Sequence, residues 1–157
     1  MKTRDVVLIG VFIALSYVLS FIKFQGSISL DSAPAFLAVF LFRDYKGAII
    51  GSVGHLMSAS MAGFFFTLPV HIVIAIFMFV MLYLAAFIAR KFNLVLTAGI
   101  IFMFNTFILP VATFISFPVD AYAGFVVALA PAVILNLIIA AALYKPVGGV
   151  LFRNASR

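Results

Sequence analysis

Apolar runs separated by short polar or basic breaks fill almost the whole chain, and that alternation excludes most folds. Six runs are read: about Asp5 to Lys23, Pro34 to Phe42, Gly47 to Ala62, Pro69 to Ala89, Leu94 to Phe117 and Asp120 to Tyr144. The first spans 19 residues and by helical rise reaches roughly 28 Å, enough to cross a hydrocarbon core. With 67% of residues hydrophobic and 9% charged, the composition lies far from that of a soluble domain. In lipid only helices and closed barrels satisfy their own backbone, so the expected fold is an all-α integral membrane protein with six transmembrane helices.

The breaks set the expected orientation. Lys2, Arg4, Arg43, Lys46, Arg90, Lys91, Lys145, Arg153 and Arg157 fall on the side of the termini, nine of the ten basic residues, and only Lys23 falls opposite. By the positive-inside rule both termini are cytoplasmic. The net charge of +6 is thereby accounted for by the bilayer, and no basic patch suggests nucleic acid. Lys2 and Arg4 before an apolar run resemble a signal peptide, but the run is long and no A-x-A-like site follows, so it is read as a retained first helix. No linker or internal repeat divides the sequence, and residues 1–157 are read as one domain.

The stretch from Gln25 to Gly63 holds Asp31 and His55, ionisable residues in an otherwise apolar sequence, and such residues at membrane depth are sites by default. Pro34 suits the first turn of a helix, with Asp31 or Ser32 as its cap. That second helix reaches only about 14 Å, so either the preceding loop dips into the protein or the helix starts part-way down. In the loop, Ile28 and Leu30 alternate with Ser27, Ser29 and Asp31. Pro110 interrupts the fifth segment, Pro131 lies inside the sixth, and Pro146 is expected to end it.

No signature of metalloprotease, nucleophile elbow or phosphate-binding loop is present, and with no cysteine there is no thiolate chemistry. The chain is therefore read as no enzyme and as holding no cofactor or resident metal. Asp31 is read either as a helix cap or as a carboxylate that accepts from a solute. His55, about 13 Å into the third helix, is either an interhelical hydrogen-bonding group or a ligand contact. His71 is placed near the outer face, where an interfacial imidazole is ordinary. Asn105 and Asn136 are mid-segment amides that either join helices or bind a polar ring edge. Tyr122, Phe24 and Phe66 can stack on a flat solute, and Gln25 and Asp120 complete the candidate outer site. Asp31 and Asp120 against Lys23 favour a neutral, donor-rich or weakly basic solute. On the first helix Gly10 and Ala14 form a small-xxx-small pair, suited either to packing within the protein or to a partner.

Taken together, the pattern resembles the substrate-binding S components of energy-coupling factor (ECF) vitamin transporters. The likeness rests on small size, six helices with both termini inside, a long first outer loop like the family's lid, and the ending Asn136-Leu-Ile-Ile-Ala-Ala-Ala-Leu-Tyr144-Lys145-Pro146. Gly10-x-x-x-Ala14 is similar to the family's Ala-x-x-x-Ala contact, with Gly in place of the first Ala. The resemblance implies a bacterial, multi-pass plasma-membrane protein with an outward-facing pocket. It implies a vitamin-like substrate, and docking through Gly10 and Ala14 on a transmembrane coupling protein that carries two ATPases. The segments Ser27-Ile-Ser-Leu-Asp-Ser-Ala-Pro-Ala-Phe-Leu-Ala38 and Gly54-His-Leu-Met-Ser-Ala59 look most like the branch linked to α-ribazole, a benzimidazole riboside and cobalamin precursor. Riboflavin or another vitamin precursor is the alternative within the class. Outside it stand a membrane enzyme using Asp31, His55 and His71, which would require a metal or nucleophile among them, and a small gated channel or helper subunit.

Overall fold

A computed structural model describes residues 2–24, 28–64, 67–115 and 117–153. Six α-helices follow in order: α1 (Thr3–Leu19), α2 (Ala33–Phe42), α3 (Tyr45–Met61), α4 (Leu68–Lys91), α5 (Leu94–Met103) and α6 (Tyr122–Phe152). Between α1 and α2 lies a two-residue antiparallel ladder, β1 (Lys23–Phe24) against β2 (Ile28–Ser29), with Lys23 opposite Ser29. The alternation noted around Ile28 is therefore strand-like rather than irregular.

One of the two ten-residue helices is the centre of the bundle. Helix α2 has every residue from Ala33 to Leu41 buried, because it packs against α1, α3, α4 and α6. A ten-residue helix apolar all round is stable only in such a position. Close approach depends on glycine: a Cβ on Gly47 would meet Val39 Cγ2 and, at 3.0 Å, the Val39 backbone nitrogen. Helix α3 begins two residues before its expected start because the Asp44 carboxylate accepts from the Lys46 amide at 2.9 Å and caps it.

Three helical stretches, Leu68–Lys91, Leu94–Phe114 and Val119–Phe152, are long and apolar enough to cross a membrane. The second of these is not uniform. Beyond Met103 it widens into a π-helical turn (Phe104–Ile108) and then tightens into a 3-10 stretch (Leu109–Ile115). Pro110 supplies no amide hydrogen to the turn before it, and the winding changes there. The Tyr122 hydroxyl donates to the Phe107 carbonyl at 2.7 Å, giving the loosened turn a partner.

Pro146 does not end α6, contrary to the sequence expectation; the helix continues to Phe152. Its extension is held by neighbours: Gly148 lies against Leu41, Phe152 meets Phe42 edge-on with centroids 6.4 Å apart, and Arg4 Nη2 donates to the Leu151 carbonyl at 2.9 Å. These contacts outweigh the single helical hydrogen bond that proline removes.

The same end of the bundle collects the basic breaks. Lys46 Nζ lies 3.3 Å from Asp5 Oδ1 and 2.5 Å from Asp44 Oδ2, and Arg90 Nε donates to the Arg43 carbonyl at 2.5 Å. The start of α1, the α2–α3 turn and the ends of α4 and α6 thus share one end, here called the basic end. Burial pulls the Lys46 ammonium down, but hydrogen bonds and attraction from Asp44 and Asp5 win and leave it above its ordinary value. The opposite, hairpin end carries β1–β2, the α3–α4 connection and the α5–α6 connection. In the α3–α4 connection Phe64 and Thr67 both take positive φ, 50° and 79°, a strained choice for an aromatic and a β-branched residue.

Candidate functional site

Helices α3 and α4 pack along much of their length, and each offers one imidazole to the seam. His55 Nε2 and His71 Nδ1 are 3.1 Å apart, a hydrogen bond in which one ring donates to the other. His71 is buried against protein. It sits three residues into α4, and the α3–α4 connection folds Phe64 over it with ring centroids 5.7 Å apart.

Asp31 precedes α2, and Ser32 Oγ donates to its Oδ1 at 3.3 Å. The N-terminus of α2 has Ser32 at the capping position and makes no side-chain cap. So the cap reading of Asp31 is not what the structure shows. Of Asp31, His55 and His71, the structure brings His55 and His71 together, on the α3–α4 seam. No group of three such side chains among the described residues is arranged to hold a metal.

A second polar junction forms on α6. Asn136 Nδ2 donates to the Ser29 carbonyl of β2 and to the Ala132 carbonyl of its own helix, both at 2.8 Å. Asn136 stands 14 residues along α6 from Tyr122, about 21 Å from that end by helical rise. The hairpin therefore reaches deep into the bundle, the first of the two alternatives posed by the short second helix. Backbone of this kind at membrane depth is tolerated because protein surrounds it. Thr106, in the π-helical turn packed on α6, is fully buried, and neither its Oγ1 nor Asn136 Oδ1 meets a hydrogen-bond partner among the described residues.

The remaining expected residues divide. Asn105 is buried and donates to the Ile101 carbonyl at 3.0 Å and towards Met81 Sδ at 3.7 Å, so it ties α5 to itself and to α4. Tyr122 is occupied by Phe107 and lies against Phe114. Asp120 is exposed in a short 3-10 turn. Phe24 lies in β1, but its side chain, like Gln25 and Phe66, lies outside the described residues. Gly10 and Ala14 are exposed, and a Cβ on Gly10 would meet nothing within 4 Å. Packing within the protein is thus not their role.

Sequence reasoning missed Ser29 and Thr106. Ser29 contributes only its backbone, which no residue type announces. Two cavities are prominent elsewhere: one of about 260 Å³ at the basic end, lined by Leu41, Tyr144, Lys145, Gly148, Gly149 and Phe152, and an apolar groove of about 320 Å³ between α5 and α6. Neither is lined by Asp31, His55 or His71.

A family model described as ECF transporter, substrate-specific component, matches residues 4–150. No match is found among curated proteins or solved structures.

Proposed function

Because the chain belongs to the substrate-specific components of ECF transporters, we propose that it captures a vitamin or vitamin precursor, with α-ribazole as the specific candidate, and hands it to an energising complex for ATP-driven uptake. In this reading six helices cross the membrane, the basic end faces the cytoplasm, and the hairpin end faces out. The exposed α1 face around Gly10 and Ala14 docks on the transmembrane coupling protein, and two ATPase subunits supply the energy.

The observation that supports the reading is the imidazole pair His55–His71 buried in the α3–α4 seam, with Asn136 anchoring the hairpin on α6; polar side chains in such apolar helices are costly and mark sites. Their chemistry suits a neutral solute with several donors: Asp31 accepts from a ribose diol, and imidazoles present ring nitrogens to a flat heterocycle. Riboflavin shares the polyol and the heterocycle and is the second reading within the class.

Thermal denaturation of the purified protein with a panel of B-vitamins and precursors, α-ribazole and riboflavin among them, tests it. A ligand that stabilises the wild type by several degrees and leaves Asp31→Ala unmoved identifies substrate and site by mass action. Folded protein stabilised by no member of the panel would count against the assignment and favour the membrane-enzyme alternative.

A further inference from the structure

Four acidic residues stand against ten basic ones, and the fold spends them unevenly. Asp5 and Asp44 both lie on Lys46, while Asp31 and Asp120 belong to the hairpin end. Lys145 is therefore left with no carboxylate and no hydrogen-bond partner among the described residues, and it lines the cavity of about 260 Å³ at the basic end. Tyr144 beside it is half-buried, and its hydroxyl likewise meets no partner among the described residues. A cation and a hydroxyl thus open on a space several times the volume of a water molecule, with Leu41 and Phe152 as apolar walls.

The second cavity lies on the same face of α6. Ile134 and Ile138, which with Gly99 and Phe102 of α5 line the apolar groove of about 320 Å³, precede Lys145 by eleven and seven residues. Either spacing is a whole number of helical turns to within about 20°. The nearer end of the groove is therefore in line with Lys145 and about 10 Å further from the basic end by helical rise. Ala141 lies between them on that face, small and exposed, and leaves the path open. A charged recess at a membrane surface that continues into an apolar groove of this depth matches the two parts of a phospholipid. A neutral lipid or an apolar partner helix would fill the groove but leave the ammonium without a counter-charge.

We infer that the α6 face from Ile134 to Phe152 binds one anionic phospholipid of the leaflet at the basic end, its phosphate accepting from the Lys145 ammonium and the Tyr144 hydroxyl and its acyl chain lying in the α5–α6 groove. Basic pockets between transmembrane helices take anionic headgroups, and a charge-assisted bond to phosphate is stronger than a neutral one. The site requires only that the basic end lies at a membrane surface, and it is independent of which solute the protein carries.

The protein in mild detergent is titrated with phosphatidylglycerol or phosphatidylcholine of the same chains, and with glycerol 3-phosphate as a headgroup without a chain. Melting temperature and, by native mass spectrometry, retained lipid are read. Phosphatidylglycerol is expected to raise the melting temperature by several degrees and to stay bound as a single molecule, whereas phosphatidylcholine and glycerol 3-phosphate do neither. Lys145→Gln should lower phosphatidylglycerol retention about five-fold, the loss expected for one cation at a lipid surface. Gly99→Leu should lower it by a similar factor, since a Cβ there meets nothing within 4 Å and the leucine occupies the groove. Lys91→Gln removes a cation that lies over Phe87, outside the cavity, and should change retention less than about two-fold. Equal stabilisation and retention of the two lipids overturns the site. So does an equal loss in Lys91→Gln and Lys145→Gln, which would mean diffuse attraction to a basic surface. Glycerol 3-phosphate that stabilises as well as the lipid would make the recess a small-anion site, and Gly99→Leu that keeps the lipid but no longer co-purifies with the coupling protein would give the groove to a partner helix; either result overturns the lipid assignment.

Discussion

The two ends of the bundle solve opposite problems. At the basic end polar groups are matched to partners: Lys46 lies between Asp5 and Asp44, Arg4 and Arg90 close on backbone carbonyls, and Phe12, Phe42 and Phe152 meet edge to face. At the hairpin end a two-residue ladder, two residues at positive φ and a π-helical turn interrupt the regular helices, and Thr106 Oγ1 in that turn has no hydrogen-bond partner among the described residues. The first end spends its interactions on fixing helix positions. The second leaves its backbone irregular.

The strongest way to break that contrast is to disturb the α2–α3 approach. Gly47→Ala places a methyl into Val39 Cγ2 and within 3.2 Å of backbone atoms that cannot rotate away, so the helices must separate. The expected outcome is a fall of more than about 10 °C in melting temperature, or loss of folded protein, in the range of severe overpacking. Gly47→Ala protein that melts like wild type would show that the basic end is not tightly fixed. At the other end His55→Gln keeps a hydrogen-bonding group but removes the imidazole that meets His71. Solute affinity should fall about ten-fold, while the melting temperature drops by no more than about 3 °C. Titration of a stabilising ligand against both proteins measures the split, and the reverse pattern would make the His pair a structural clasp.

The sequence carried the large outlines of this contrast better than its details. Apolar run lengths and the placement of nine basic residues were enough to expect six helices and one basic end, because hydrophobic thickness and charge are properties of composition along the chain. Asp31 and His55 stood out because ionisable residues in apolar runs are costly. The meeting of His55 with His71 was not legible, since it depends on how α3 and α4 are rotated about their axes. Helix ends failed where tertiary contacts overrode a local signal: Pro146 reads as a stop, yet Leu41, Phe42 and Arg4 hold the helix beyond it. That Thr106 Oγ1 and Asn136 Oδ1 meet no partner among the described residues depends on what is absent around an atom, which no residue pattern encodes.

Lys46→Met sharpens the contrast with a smaller effect. The apolar stem is kept and the ammonium is lost, leaving Asp5 and Asp44, whose side chains remain about one-quarter exposed. Water reaches both carboxylates, so the cost is about 1–2 kcal/mol rather than that of a dry ion pair. A melting temperature lower by about 2–5 °C, with solute affinity unchanged, is expected. The raised Lys46 value gives the sign with pH: its contribution is complete below the ordinary lysine value and is lost as pH rises through the higher folded value. Between neutral pH and about pH 9 the difference between variant and wild type should therefore stay constant. A difference that vanishes within that window would mean another group holds the network.

Gly10 gives the smallest effect on the protein alone and separates both ends from the face between them. A Cβ there meets nothing within 4 Å, and α1 also exposes Val7, Val11, Leu15 and Val18. Alanine is the better helix former by up to about 1 kcal/mol, so Gly10→Ala should shift the melting temperature by no more than about 2 °C, upward if at all. Gly10→Leu adds bulk to an exposed surface where a Cβ meets nothing within 4 Å among the described residues, and stability and solute affinity should again hold. If this face docks on the coupling protein, the leucine prevents close helix approach. Co-purification with that protein and its ATPases should then weaken for Gly10→Leu and persist for Gly10→Ala. Equal recovery of both variants would move the docking surface off this stripe of α1, whereas a large drop in melting temperature for either would mean that α1 packs inward.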